Sequence, residues 1–154
     1  MLHGDLGLLG RILLGFALAY AFGFERQIRG SPAGDRTFAL VGAAATAITA
    51  VAGRSSPQTV AGVVTGIGFI GGGVVFHGAG GLVRGLTSAA AIFGAAGIGI
   101  VVGYGHLVLG VITAVILLFV LELPHAPFLR WLDARTYSHR FSDDHFPDAS
   151  TESD

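Results

Sequence analysis

The chain has 154 residues, 52% of them hydrophobic and only 12% charged, with a formal net charge of −1 and a mean hydropathy of +0.70. A soluble domain carries about a quarter charged residues, so lipid is the expected solvent, and with the near-neutral balance no bulk attraction to nucleic acid or anionic lipid is expected. The sequence has no cysteine and no lysine, which excludes disulfides, thiolate metal sites, cysteine nucleophiles and lysine chemistry.

From Thr37 to Leu121 only Arg54 and Arg84 are charged, and no carboxylate lies between Asp35 and Glu122. A helical span needs about 20 apolar residues to cross about 30 Å of hydrocarbon. The expected fold is all-α, an integral membrane bundle of about five transmembrane helices. No polar–apolar alternation suggests a barrel.

The first predicted span is Leu6–Phe24. Ala19-Tyr20-Ala21 resembles a cleavage site, but Asp5 precedes Arg11, so the start lacks the net positive region of a signal peptide. Arg11 lies about two turns inside this span. It is read as snorkelling outward toward Asp5; the alternative is that it faces the bundle.

The loop that follows carries Glu25, Arg26, Arg29, Asp35 and Arg36. Glu25 and Arg29 are four apart, a pairing distance if the helix continues. The second span is Thr37–Ala52 and the third Pro57–Phe76. Pro57 after Ser55 and Ser56 suits a helix start. The fourth is Gly85–Tyr104, with Arg84, Thr87 and Ser88 on one face at its start. The fifth is Leu107–Leu121, closed by Pro124 and Pro127. The second and fifth are short and can thin the bilayer or extend.

Residues 1–123 thus form a five-span membrane domain. Residues 124–141 read as an interfacial and cytoplasmic anchor, with Phe128, Leu129, Trp131 and Leu132 beside Arg130. Residues 142–154 hold five acids and no arginine, the pattern of a disordered acidic tail. His139 and His145 with Asp143 and Asp144 are a weak metal alternative; otherwise no metal, cofactor or nucleophile–base pair is identified, and no enzyme is expected.

Arginine-rich and arginine-poor loops alternate. By the positive-inside rule the N-terminus lies outside and the C-terminus in the cytoplasm. Glu25, Arg26, Arg29, Asp35, Arg36, Arg84, Thr87 and Ser88 then gather at the cytoplasmic boundary. Two readings stay open for them: interfacial anchoring with mutual neutralisation, or a functional polar cluster that meets an ion or partner.

Glycine spacing predicts close helix packing. Gly62 and Gly66, Gly68 and Gly72, and Gly99 and Gly103 are each four apart, which lets backbones approach within a subunit or across a homo-oligomer, a dimer first. The competing reading breaks the third helix at Gly71-Gly72-Gly73. Gly66-Ile67-Gly68-Phe69-Ile70-Gly71 matches the dinucleotide fingerprint formally, but the acidic residue about 20 positions on is missing, so it is read as a membrane helix. Arg36-Thr37 and Arg84 with Thr87 each open a small-residue helix after a polar turn, which allows a parallel repeat of two hairpins plus one helix.

Three linked segments carry a family resemblance: Glu25-Arg26-Gln27 with Arg29, Ala33-Gly34, Arg36-Thr37 and Ala39-Leu40-Val41; then Thr65 to Gly71; then Val83-Arg84-Gly85-Leu86-Thr87, Ala89-Ala90 and Gly97-Ile98-Gly99. In this order, over about Leu6 to Leu121, the chain resembles the MgtC/SapB membrane proteins. The resemblance implies a bacterial inner-membrane protein of about five spans, linked to growth in low magnesium and, in some pathogens, to survival in macrophages. It also implies membrane-protein partners, since some members are proposed to restrain the ATP synthase. These 154 residues do not include the soluble C-terminal domain of the longer virulence-type members. Thr87 stands where those members tend to carry Asn, and Ala91-Ile92-Phe93 where Thr, Leu and Trp are common, which separates this chain from the virulence-type role.

Magnesium prefers carboxylate, carbonyl and water oxygen. The central spans offer only Thr46, Thr49, Thr65, Thr87 and backbone carbonyls. The expected function is therefore regulatory or adaptive, through contacts with a membrane partner. The alternative is an ion transporter or channel, for magnesium by family label or for an anion such as phosphate by arginine content.

Overall fold

The computed structural model describes residues 2–77 and 83–123. It contains α1 (Leu2–Ile28), α2 (Asp35–Ala52), α3 (Pro57–Val74), β1 (Phe76–His77), β2 (Val83–Arg84), α4 (Leu86–Gly103) and α5 (Leu107–Glu122). The chain divides into two units, Met1–Leu118 and Phe119–Asp154; within the second, the end of α5 is described. The anchor and acidic tail expected over residues 124–154 lie outside the described residues.

Five helices stand where five spans are expected. Gly4–Ile28, Asp35–Ala52 and Leu86–Gly103 are long and apolar enough to cross a membrane; Leu107–Glu122 is apolar but shorter. The architecture is an all-α membrane bundle. Two boundaries need correcting. The third helix ends at Val74 rather than Phe76, and Phe76 and His77 pair antiparallel with Arg84 and Val83. The fourth begins at Leu86, because Gly85 holds φ +90, a left-handed conformation that glycine adopts without the Cβ penalty and that turns the chain into the helix. The helix is continuous through Gly71-Gly72-Gly73, so the broken-helix reading and the nucleotide loop both give way to an unbroken α-helix.

The core of the first unit is the seam of α1, α2 and α4. On α1 the inward residues are Gly15, Ala19, Phe22 and Gly23, at intervals that hold one helix face. They meet Phe38, Gly42 and Thr46 of α2. On α4, Ile92, Ala95, Ala96, Ile98, Gly99, Val102 and Gly103 are buried. Lipid tails are as apolar as leucine, so helices here gain from close packing rather than from leaving water. Small residues set that closeness. A Cβ on Gly99 would lie 2.7 Å from the carbonyl oxygen of Gly42, and one on Gly103 would lie 2.8 Å from that of Thr46. A Cβ on Gly42 would lie 2.8 Å from the carbonyl oxygen of Gly15. The three backbones therefore touch.

Within the same unit α5 packs on another side of α4. Gly110 and Ala114 are buried. A Cβ on Gly110 would lie 2.5 Å from Val102 Cγ2, and one on Gly94 would lie 2.9 Å from Leu117 Cδ1. By contrast, α3 buries only Ile67 and Gly71. The two hairpins that the repeat reading compares are thus unequal: α2 is locked to α1, whereas α3 rests on α4 near Ala89.

Candidate functional site

α1 ends in a Schellman motif. Gly30 at φ +67 turns the chain, its N–H bonds the Gln27 carbonyl, and the Ser31 N–H bonds that of Arg26. This motif sets the last turn of α1, where the charged side chains meet. Arg29 Nε donates to Glu25 Oε1, and Arg26 Nη1 stands 3.8 Å from Glu25 Oε2. One carboxylate thus faces two guanidinium groups. The Glu25 and Arg26 side chains are 17% and 13% exposed, so the pair is largely out of solvent and each charge depends on the other. Glu25 Oε2 and Arg26 Nε are both buried without a hydrogen-bond partner, leaving capacity for a further polar contact.

The turn after α1 is tied across the bundle. The Ser31 and Ser88 hydroxyls share a 2.7 Å hydrogen bond, and the Ala33 N–H also donates to Ser31 Oγ. Ser88 is buried at the start of α4. The side chain of Gln27 packs against Gly34, and Asp35 Oδ1 accepts from the Arg36 N–H, so this carboxylate neutralises the N-terminus of α2. Gln27, Gly34, Asp35, Arg36 and Thr37 line a shallow polar depression.

The expected cluster therefore divides. Glu25, Arg26 and Arg29 come together, and Ser88 joins them through Ser31. Arg36, Arg84 and Thr87 are exposed, and no ion pair with a shared carboxylate joins Arg36 to Arg84 among the described residues. Arg84 belongs to β2, ahead of the helix, so it does not share a helical face with Thr87 and the buried Ser88. Sequence reading overlooked Ser31. Its signal was its place directly after Gly30, where the chain reverses beside the next helix pair.

The glycines divide too. Gly99 and Gly103 lie in the α2–α4 seam, whereas Gly62, Gly66, Gly68 and Gly72 meet nothing within 4 Å of a built Cβ. Apolar grooves flank them, one lined by Leu40, Val41 and Ile70 and the other by Ala89, Ala90 and Phe93.

At the opposite end of α4, Arg11 is not paired with Asp5. Its Nη1 donates to the Gly103 carbonyl at 3.2 Å, so it faces the bundle. The Gly103 carbonyl at the end of α4 offers a fixed acceptor, since the last carbonyls of a helix have no intrahelical donor. Among the described residues, no group of three histidines, cysteines or carboxylates comes together in a metal-binding arrangement.

The sequence profile of the MgtC family matches residues 12–126, a range that takes in most of α1 and all of α2 to α5. A protein of Haemophilus influenzae with no functional name is 32% identical over 145 residues, covering 84% of this chain and 60% of its own length. YhiD of Escherichia coli K12, named as a candidate magnesium transporter, is 38% identical over 133 residues, 75% of this chain and 59% of its own. SrpB of Synechococcus elongatus is 38% identical over 129 residues, 71% of each chain. The chain thus spans about 60% of the length of the first two relatives. No solved structure matches it. With the profile covering most of the helical bundle, this membrane protein belongs to the MgtC family.

Proposed function

We propose that this chain is a regulatory or adaptive protein of the bacterial inner membrane that acts by contact with another membrane protein. Its N-terminus lies outside and its C-terminus in the cytoplasm, which puts the Glu25 cluster on the cytoplasmic side. The observation that carries the reading is the closed α1–α2–α4 seam, where Gly42, Gly99 and Gly103 hold backbone against backbone. A path for a hydrated cation through that seam has no room and no carboxylate. Ionisable groups lie toward the helix ends instead, and exposed Arg36, Arg84 and Thr87 are available to a partner. The glycine face of α3 supports a homo-oligomer. The reading assigns no catalytic step and no resident cofactor.

The test is flux. Purified protein in liposomes loaded with a magnesium-sensitive dye is expected to leave magnesium entry at the level of empty liposomes. Entry that rises with protein density overturns the regulatory reading. It supports the second reading, magnesium transport, which the name of the Escherichia coli relative favours. A reporter fused after Asp154 is expected to be active only in the cytoplasm.

A further inference from the structure

The C-terminus of α4 has an unusual set of partners. An α-helix leaves its last four carbonyls without intrahelical donors. Here a second Schellman motif takes two of them. Gly105, at φ +93, donates to the Val102 carbonyl, and the His106 N–H donates to that of Val101. The next two carbonyls go to arginines from other elements. Arg11 of α1 donates to Gly103, and Arg54, just past α2, donates to Tyr104, both at 3.2 Å. Tyr104 in return donates from its hydroxyl to the Gly53 carbonyl at 3.2 Å, which fixes the turn that carries Arg54. Gly105 supplies space as well as a left-handed turn, since a Cβ there would lie 3.2 Å from Arg11 Cζ.

Each guanidinium has five N–H donors in a planar fork, and each uses one on these carbonyls. The atoms buried without a partner among the described residues are Glu25 Oε2, Arg26 Nε and Thr49 Oγ1. The remaining donors of Arg11 and Arg54 are therefore accessible. Among the described residues neither arginine has a carboxylate partner. Asp5, the nearest acid in sequence to Arg11, is six residues away, about 240° around the helix, and forms no ion pair with it. The other acids of the described residues are Glu25 in the last turn of α1, Asp35 at the start of α2 and Glu122 at the end of α5. Acceptors on adjacent residues bring the two guanidinium groups within roughly 10 Å of each other. Their two positive charges face about half a negative charge at each of the α2 and α4 C-termini, which leaves roughly one positive charge unbalanced.

We propose that Arg11 and Arg54 form a binding site for a phosphate group, the oxyanion that balances this charge and matches the guanidinium fork. The phosphate belongs either to a lipid headgroup or to a free anion. Arg11 comes from α1 and Arg54 from the turn after α2, so a ligand there bridges α1, the α2–α3 turn and the end of α4. The site is independent of the proposed partner contact at the Glu25 end.

Two arms test it on the full chain in detergent. Native mass spectrometry compares retention of phosphatidylglycerol with diacylglycerol of the same chains, and titration calorimetry measures inorganic phosphate. Arg11→Gln also removes the hydrogen bond to Gly103, so Arg54→Gln, at an exposed position, carries the test; Arg11→Lys keeps a donor to the carbonyl and loses the fork. Binding in either arm is expected to weaken about tenfold in Arg54→Gln with elution of the folded protein unchanged. Selective retention of phosphatidylglycerol assigns the site to a headgroup, and saturable binding of inorganic phosphate to a free anion. Absence of binding in both arms, or equal binding by wild type and Arg54→Gln, overturns the proposal.

Discussion

The glycines of α4 and α3 share a spacing and differ in fate. Gly99 and Gly103 bring α4 against the backbone of α2, while Gly62 and Gly66 on α3 face open space. Their neighbours explain the contrast. α4 lies against α2 on one side and α5 on another, so a missing side chain there is filled by another helix. α3 rests on the bundle through Ile67 and Gly71, and its other glycines have no helix among the described residues to receive. Spacing of four identifies a face that can be approached, not whether anything approaches it.

The largest effect follows from that contrast. Gly99→Leu adds four carbons where the first would already lie 2.7 Å from the Gly42 carbonyl. Overpacking of this kind costs about 1–3 kcal/mol where neighbours can shift, and here the neighbour is backbone. Gly99→Leu is expected to lose most of its folded protein in size-exclusion chromatography. Gly66→Leu, with nothing within 4 Å, is expected to elute as wild type does. If Gly66→Leu collapses as fully, α3 is packed in the native protein and the contrast fails.

A smaller effect separates the two charged ends. Glu25→Gln leaves Arg26 and Arg29 without the carboxylate that faces both. Removing one member of the mostly buried Glu25–Arg26 pair strands the Arg26 charge, and a cost of about 2 kcal/mol is expected for this partly exposed group. A fall in the melting temperature in detergent, with Asp5→Asn as the exposed control, measures it. An unchanged melting temperature would show that the cluster neutralises charge without holding the fold.

Much of this architecture was readable from residues. Long apolar runs between polar turns are a direct demand of the bilayer, and all five helices lie where those runs fall. The end of α3 was misplaced because Phe76 is as apolar as the helix before it, and hydropathy alone does not report where hydrogen bonding changes from helix to β pair. The polar cluster was only half legible. Glu25 and Arg29 meet because a helix of fixed pitch brings them together. Whether Arg36 approaches Arg84 depends on the relative rotation of two helices, which no local spacing encodes. Arg11 was misread toward Asp5 because its true acceptor, the Gly103 carbonyl, is a backbone atom 92 residues away.

Two threonines sharpen the comparison further. Thr46 Oγ1 donates to the Gly42 carbonyl, and Thr65 Oγ1 donates to that of Ala61, each one turn back along its own helix. Thr46 is fully buried beside Gly15; Thr65 is exposed on α3. Replacement by valine keeps the shape and removes the hydroxyl. Thr46→Val is expected to cost about 1 kcal/mol and Thr65→Val close to none, read as paired melting curves. Equal costs would mean that the α3 face is buried in the native assembly and would point to a second copy against it.

The smallest effect on stability is expected at Arg84, and it bears most directly on function. Arg84→Gln removes an exposed charge from the short β pair before α4, while the backbone pairing with Phe76 remains. Surface substitutions of this kind stay within about 0.5 kcal/mol, so the melting temperature is expected to hold. Interfacial anchoring alone predicts little further change, because the surrounding arginines still mark the membrane boundary. A contact with another membrane protein predicts a selective loss: stoichiometric co-purification of the partner falls while the amount of folded chain does not. The same measurement on Arg54→Gln, at the other end of α4, supplies the control, since its charge is equal and its end of the bundle is different. If both variants retain the partner, the exposed arginines at the Glu25 end are anchors, and the contact lies elsewhere.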